Sequence, residues 1–186
     1  MKTSTVVWRR NDLPGHESCR LRTRDTGFEI AGVAVLAYER QACRLDYVIN
    51  CDSHWQTQSA MVTGWVGDRT IEITVARDAD GQWRLNGRYV EDVAGCMDID
   101  LNFSPATNLL PIRRLNLSGG ATASARAAWL RFPSFTLEVL EQVYTRLASG
   151  RYRYESADGR FVAEPMVDEA GQVIAYGDIW SRDTGV

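Results

Sequence analysis

The segment from Gly95 to Leu115, GCMDIDLNFSPATNLLPIRRL, constrains the fold more than any other part of the chain. Its first half alternates strictly between two sets of side chains, as a strand does. One face would carry Met97, Ile99, Leu101 and Phe103, and the other would carry Cys96, Asp98, Asp100 and Asn102. The pattern therefore predicts a strand with one core face and one acidic face, whose two aspartates lie about 6.6 Å apart along the strand.

The second half of this segment predicts a short buried helix. Ser104 and Pro105 are typical of a helix start, with a capping hydroxyl and a proline in the first turn. Apolar side chains then recur at helical spacing, at Leu109, Ile112 and Leu115. We expect a helix over about 106–116, and Pro111 favours two short turns with a kink between them.

The two aspartates are the sharpest candidates for chemistry. Carboxylates that face a shared cavity can bind sugar hydroxyls, and they can act as general acid and base if their pKa values differ. Their spacing along the strand is near that of the carboxylates of inverting glycosidases. Arg113 and Arg114 close the segment and are natural counter-charges for Asp98 and Asp100. A solvated strand face or an internal ion pair is the structural alternative.

The rest of the chain reads as an all-β protein. Turn signals such as Gly67-Asp68, Asn86-Gly87 and Asp158-Gly159 recur every eight to twelve residues, which favours an antiparallel roll or barrel. Residues 135–147 fit helix and strand equally, and we expect a strand to Val139 followed by an irregular piece. No linker or repeat divides the sequence, so we expect one domain over 1–186.

Composition limits the function classes. The formal net charge of -3 leaves no electrostatic footprint for nucleic acid, and no run of about 20 apolar residues exists to span a membrane. The N-terminus lacks a signal-peptide pattern and the four cysteines show no C-x-x-C pairing, so we expect a cytoplasmic protein with reduced cysteines. Cys51 and His54 alone make a poor metal site, and we predict neither a metal nor a cofactor.

Several motifs along the chain resemble one bacterial family. Besides the central segment, they are His16-Glu17, the D-x-x-W from Asp52, the W-x-x-N-G from Trp83, the Q-x-Y from Gln142 and the Y-x-Y from Tyr152. Together they cover about residues 6–181, and they resemble the family named Putative glycolipid-binding. This resemblance implies a mainly β fold, a many-stranded antiparallel sheet rolled around a single short helix (a spiral β-roll), with remote likeness to lipoprotein carriers. It also implies a homodimer and an acidic pocket with a glycolipid-related role.

Residue types extend the candidate site beyond the aspartates. Glu17 matches the early acidic position of the family, and Trp55 and Trp65 are the aromatic residues most suited to a pocket. The ligand-binding candidates are Asp98, Asp100, Glu17, Asp52, Trp55, Trp65, Asn108, Arg113, Arg114, Gln142 and Tyr144.

Three functional hypotheses follow. The first is a protein that binds a glycolipid or related amphiphile in an acidic, aromatic-lined pocket and serves glycolipid metabolism or transport. The second is a hydrolase of glycosidic or ester bonds that uses Asp98 and Asp100 as acid and base. The third is a dimeric structural protein whose helix fills its own cavity.

Overall fold

The chain folds into one long rolled sheet, described by a computed structural model for residues 3–148 and 150–184. In this part of the chain the strands are β1 (Thr3–Arg10), β2 (Gly15–Arg24), β3 (Gly27–Tyr38), β4 (Gln41–Asp52), β5 (Thr57–Val66), β6 (Arg69–Arg77), β7 (Trp83–Leu85), β8 (Arg88–Tyr89), β9 (Asp98–Asp100), β10 (Thr122–Arg131), β11 (Thr136–Ala148), β12 (Arg151–Ser156), β13 (Phe161–Ala163), β14 (Pro165–Val167), β15 (Val173–Tyr176) and β16 (Trp180–Arg182). The helical pieces are two 3-10 turns, Glu91–Val93 and Pro105–Asn108, and one α-helix, α1 (Leu109–Leu115). The expected mainly β fold is confirmed.

Strand order follows the chain through successive hairpins. The sheet runs β8-β7-β6-β5-β4-β3-β2-β1-β16-β15-β14-β12-β11-β10-β9, and β13 pairs with β12 beside this path. The neighbouring strands are antiparallel except for β9 and β10, which are parallel. An entirely antiparallel sheet was expected, and the exception arises because β9 reaches β10 through the α1 crossover rather than a hairpin.

The roll nearly closes where β9 meets the start of β5. Thr57 donates its backbone N–H to the Met97 carbonyl at 2.9 Å, and its hydroxyl accepts the Ile99 N–H at 3.1 Å. The indole of Trp83 donates to the Cys96 carbonyl at 3.0 Å, which holds the same segment from β7. The acidic strand therefore lies between two parts of the sheet rather than at a free edge.

The central segment matches its predicted pattern with one exception. Ile99, Leu101 and Phe103 are buried, whereas Met97 is exposed, because β9 begins only at Asp98. The hydroxyl of Ser104 accepts the Ala106 N–H at 3.1 Å and caps the 3-10 turn, as its position predicted. Pro111 lies in the first turn of α1, where a missing N–H costs no helical hydrogen bond. The helical stretch runs from Pro105 to Leu115, close to the predicted 106–116, and consists of a 3-10 turn followed by α1.

The prediction for residues 135–147 is wrong beyond Val139. β11 continues as a strand to Ala148, because β10 pairs with it from Thr136 to Thr145 and β12 pairs with it from Gln142 onward. The local pattern fitted helix and strand equally, and strand pairing on both edges decided between them.

Candidate functional site

The acidic face of β9 lies inside the roll. Asp98 is in register with Ala127 and Asp100 with Trp129, so both side chains share a face with the inward residues of β10 and β11. The opposite face of β9 carries Ile99 into the hydrophobic core. The two aspartates therefore have the common orientation that the alternation predicted, but each has different neighbours.

Asp98 is held in a bidentate ion pair. Arg114, in the last turn of α1, donates Nε to Oδ1 at 3.0 Å and Nη2 to Oδ2 at 2.5 Å. The Asp98 side chain is 1% exposed, and burial raises its pKa while the Arg114 guanidinium opposes that shift. Both carboxylate oxygens are occupied, so Asp98 fixes the end of α1 against β9.

Asp100 has no ion-pair partner in the described part of the chain. Gln142 Nε2 donates to its Oδ2 at 3.0 Å, and the Asn102 backbone N–H also donates to the carboxylate. The same Gln142 Nε2 lies 3.2 Å from the Tyr154 hydroxyl. Burial raises the pKa of Asp100 to about 6, and the nearby charge of Asp98 adds to the shift. Asp100 is therefore a carboxyl group without a counter-charge.

Glu17 forms a second buried acidic group close by. Its Oε1 accepts the Tyr47 hydroxyl at 2.5 Å and the Ser104 hydroxyl at 2.6 Å, while its Oε2 is buried without a hydrogen-bond partner among the described residues. A Cβ at Gly32 would lie 2.5 Å from the Tyr47 hydroxyl oxygen, so only glycine leaves room for this contact. Burial raises the pKa of Glu17 to about 7.

A cavity of about 360 Å³ lies beside Asp100. Polar groups from Asp100, Asn102, Ser104 and Asn108 line one side of it, and Ser104 separates Glu17 from the open space. The remaining lining includes five aromatic residues, Trp129, Tyr154, Phe161, Tyr176 and Trp180, together with Leu140, Ile179 and Arg10. The cavity thus combines flat apolar walls with hydrogen-bonding groups.

Other predicted residues support the cavity from behind. The Tyr144 hydroxyl donates to Asn108 Oδ1 at 3.2 Å, and Asn108 Nδ2 donates to the Pro105 carbonyl at 3.2 Å. Gln142 is 2% exposed, and its Oε1 has no partner within the described residues. The structure therefore brings together seven predicted residues around one interior: Glu17, Asp98, Asp100, Asn108, Arg114, Gln142 and Tyr144.

Four predicted residues lie away from this cavity. Asp52 accepts the backbone N–H groups of His54 and Gln56 and shapes the loop that carries Trp55. Trp55 stacks on Phe28 with ring centroids 3.7 Å apart, and the Arg113 guanidinium lies 5.3 Å from the indole. This group borders a separate cleft of about 610 Å³.

The fourth of these residues, Trp65, lies on the outer face of β5 and is 40% exposed. It is therefore remote from the interior that holds the aspartates.

Sequence reasoning missed part of the site. Ser104 was read only as a helix cap, and it also donates to Glu17. Trp129, Tyr176 and Trp180 line the cavity without a local pattern that distinguishes them from core aromatics. Tyr154 alone carried a signal, since it belongs to the Y-x-Y motif. The described residues contain no group of three or more side chains suited to a metal ion, and none of the described helices is long and apolar enough to cross a membrane.

The fold and the cavity define a class of protein, a β-roll with an acidic, aromatic-lined interior. The chain belongs to the family described as Putative glycolipid-binding, whose model matches residues 5–182. A solved structure of a DUF1089 family protein from Pseudomonas aeruginosa is similar to it, with 29% sequence identity and a TM-score of 0.79. The similarity covers 98% of this chain and 93% of that one. No curated protein matches the chain.

The unequal environments of the two aspartates predict unequal effects on stability. Asp98→Asn leaves the partly buried Arg114 guanidinium without its counter-charge, and we expect it to lower the free energy of unfolding by about 3 kcal/mol, the lower end of the range for a buried ion pair. Asp100→Asn keeps the hydrogen-bonding shape and removes an uncompensated charge, so stability should change by less than about 1 kcal/mol or rise. Urea unfolding of both variants at neutral pH measures this difference. Equal losses would contradict the assignment.

Glu17 predicts a pH dependence of stability. Its pKa is about 7 in the folded protein, against about 4.3 in an unfolded chain. The folded state binds the proton more tightly, so this stabilisation is present at low pH and is lost as pH rises through about 7. Relative to wild type, Glu17→Gln should gain about 3 kcal/mol between about pH 4.5 and pH 8 in urea unfolding. Glu72→Gln, at an exposed acid on β6, should show no such change.

Proposed function

We propose that this protein binds the head group of a glycolipid or related amphiphile in the cavity beside Asp100, and that it serves glycolipid transport or metabolism. The single observation that carries the proposal is the lining of this cavity, in which aromatic walls face a carboxyl, hydroxyl and amide groups. Sugar rings present apolar faces and a belt of hydroxyls, and such a lining matches both. Membership of the family supports the same binding role.

The size of the cavity supports a small-molecule ligand over the structural alternative. A volume of about 360 Å³ is within the range of ligand pockets, about 300–1,000 Å³. The buried residues Leu109, Leu110 and Ile112 of α1 do not line the cavity, so the helix does not fill it. Leu140, Phe161 and Ile179 give the lining an apolar section on which the first part of an acyl chain could pack.

Hydrolysis by the Asp98 and Asp100 pair stays an alternative prediction. Asp98 has both oxygens engaged by Arg114 and does not line the cavity, whereas Asp100 does. A binding role needs only the group that faces the open space. The geometry therefore favours binding over acid–base catalysis by this pair.

The binding proposal is tested by titration with octyl β-D-glucoside, a neutral glycoside with a short alkyl chain. Trp129→Ala removes one wall of the cavity, and we expect its Kd to rise at least about tenfold. The matched control is Trp65→Ala, which truncates an exposed tryptophan on the outer face of β5 and should change Kd less than about twofold. Equal losses of affinity in both variants would overturn the proposal, and so would a wild type that binds neither this glycoside nor its 2-amino-2-deoxy analogue.

We also propose that the protein is a cytoplasmic homodimer. Four buried cysteines remain free, as in a reducing compartment. The outer face of the roll exposes the apolar side chains of Val35, Met61 and Trp65, which a second copy would cover. The alanines Ala125, Ala127 and Ala128 of β10 are buried within the chain, so they offer little surface to a second copy.

Light scattering measures the assembly directly. At micromolar concentration we expect twice the mass of the chain, and Met61→Asp should lower the mass towards that of one chain, because it places a charge on the apolar face. Met61 is exposed, so the substitution should leave the fold intact, and circular dichroism measures this. A wild-type mass of one chain would contradict the proposed dimer.

A further inference from the structure

The walls of the cavity are suited to a positive charge. Tyr154, Phe161 and Tyr176 pack as one cluster, with ring centroids between 5.9 and 6.4 Å apart. Trp129 and Trp180 line the same space. Aromatic faces attract cations, and this attraction strengthens when the cation leaves water. An aromatic lining of this kind can hold an ammonium group against its ring faces, where an anion would be disfavoured.

Within the described part of the chain, Asp100 and Glu17 form no ion pair. Asp100 lines the cavity and accepts only neutral donors, from Gln142 and from the Asn102 backbone. Glu17 lies behind Ser104 and also accepts only hydroxyl donors. An unpaired carboxylate is costly inside a protein, and a bound cation removes that cost. Asp100 is the acid that lines the cavity, and among the described residues it has no cationic partner.

Among the described residues, Arg10 is the one cationic side chain that lines the cavity, and it is already engaged. Asp12 accepts its Nε at 2.8 Å and its Nη2 at 3.2 Å, and its guanidinium lies 5.3 Å from the Trp180 ring. Arg114 is engaged in the same way by Asp98. The positive charge within reach of Asp100 is thus offset by other acids, and the net charge of the cavity region is negative.

We infer that the cavity selects an amphiphile whose head group carries a protonated amine, such as an amino sugar, and that Asp100 is the residue that determines this preference. This inference rests on the proposed function and specifies its ligand class. The ammonium would take the place of the missing counter-charge at Asp100 and would pack against the aromatic walls. Neighbouring sugar hydroxyls would exchange hydrogen bonds with the polar groups at Asn102 and Ser104.

The protonation states around Asp100 suit this arrangement near neutral pH. The pKa of Asp100 is about 6, so its carboxylate is ionised at about pH 7. The other titratable groups around the cavity are Arg10, the tyrosines of the surrounding strands, Asp98, and Glu17 behind Ser104. Burial raises the pKa of Tyr144, Tyr154 and Tyr176, which therefore stay neutral. Asp98 is balanced by Arg114, so Asp100 dominates the charge that a ligand meets.

Three glycosides with one alkyl chain test the inference. They are octyl β-D-glucoside, its 2-amino-2-deoxy analogue and the N-acetyl form of that analogue, which differ only at one position of the sugar. At about pH 7 we expect the amino compound to bind at least about tenfold more tightly than either neutral compound. In Asp100→Asn this ratio should fall towards one. Asp46→Asn, at an acid on the outer face of β4, should leave the ratio unchanged.

The pH dependence of the wild type gives a second measurement that needs no variant. Lowering the pH from about 7 to about 5 protonates Asp100 and completes the protonation of Glu17, and this loss of negative charge should shrink the preference for the amino compound. The ligand amine becomes more protonated over the same range, so its own titration cannot cause this loss. A neutral glucoside that binds as tightly as the amino compound would overturn the inference and leave the proposed function intact. Failure of all three compounds to bind would overturn both.

Discussion

The burial of β9 on both of its faces is the constraint on which the rest of this structure depends. One face places Ile99 in the hydrophobic core, and the other turns two aspartates into the interior of the roll. Hydrogen bonds to Thr57 on one edge and parallel pairing with β10 on the other hold the strand in that position. A carboxylate inside a protein needs a partner. Arg114 of α1 is the partner of Asp98, and Gln142 is the partner of Asp100 beside the cavity.

The two aspartates have different partners, and this difference distinguishes a structural residue from a candidate ligand-binding residue. Asp98 meets a guanidinium that satisfies both oxygens, so it connects β9 to α1 and has no capacity left for a ligand. Asp100 receives neutral donors and an open space. Glu17 lies behind Ser104 and, like Asp100, accepts hydrogen bonds from neutral groups. The hydroxyls of Tyr47 and Ser104 both donate to its Oε1. Carboxyl groups with raised pKa values beside a cavity are typical of functional sites, because a fold gains no stability from leaving them unpaired.

Local sequence patterns predicted most of the β architecture. Hairpin turns at Gly67-Asp68 and Asp158-Gly159 lie where dipeptide preferences placed them, since φ and ψ requirements act on adjacent residues. Residues 140–148 were not accessible in this way, because their strand conformation depends on pairing with β10 and β12. The parallel pairing of β9 and the separate cleft at Trp55 were also beyond local reasoning. Both depend on the curvature of the whole sheet, which is set by residues far apart in the sequence.

Sequence alone determined which residues share a face. Alternation along β9 placed Asp98 and Asp100 together and opposite Ile99, because the direction of a side chain on a strand is set by the local backbone. Only the tertiary structure decided which partner each acid receives. Glu17 and Ser104 are 87 positions apart, and Asp100 and Gln142 are 42 apart, so their contacts exist only once the roll has formed. Charge compensation depends on distance in space, and so the division between a structural and an open carboxylate is a property of the fold.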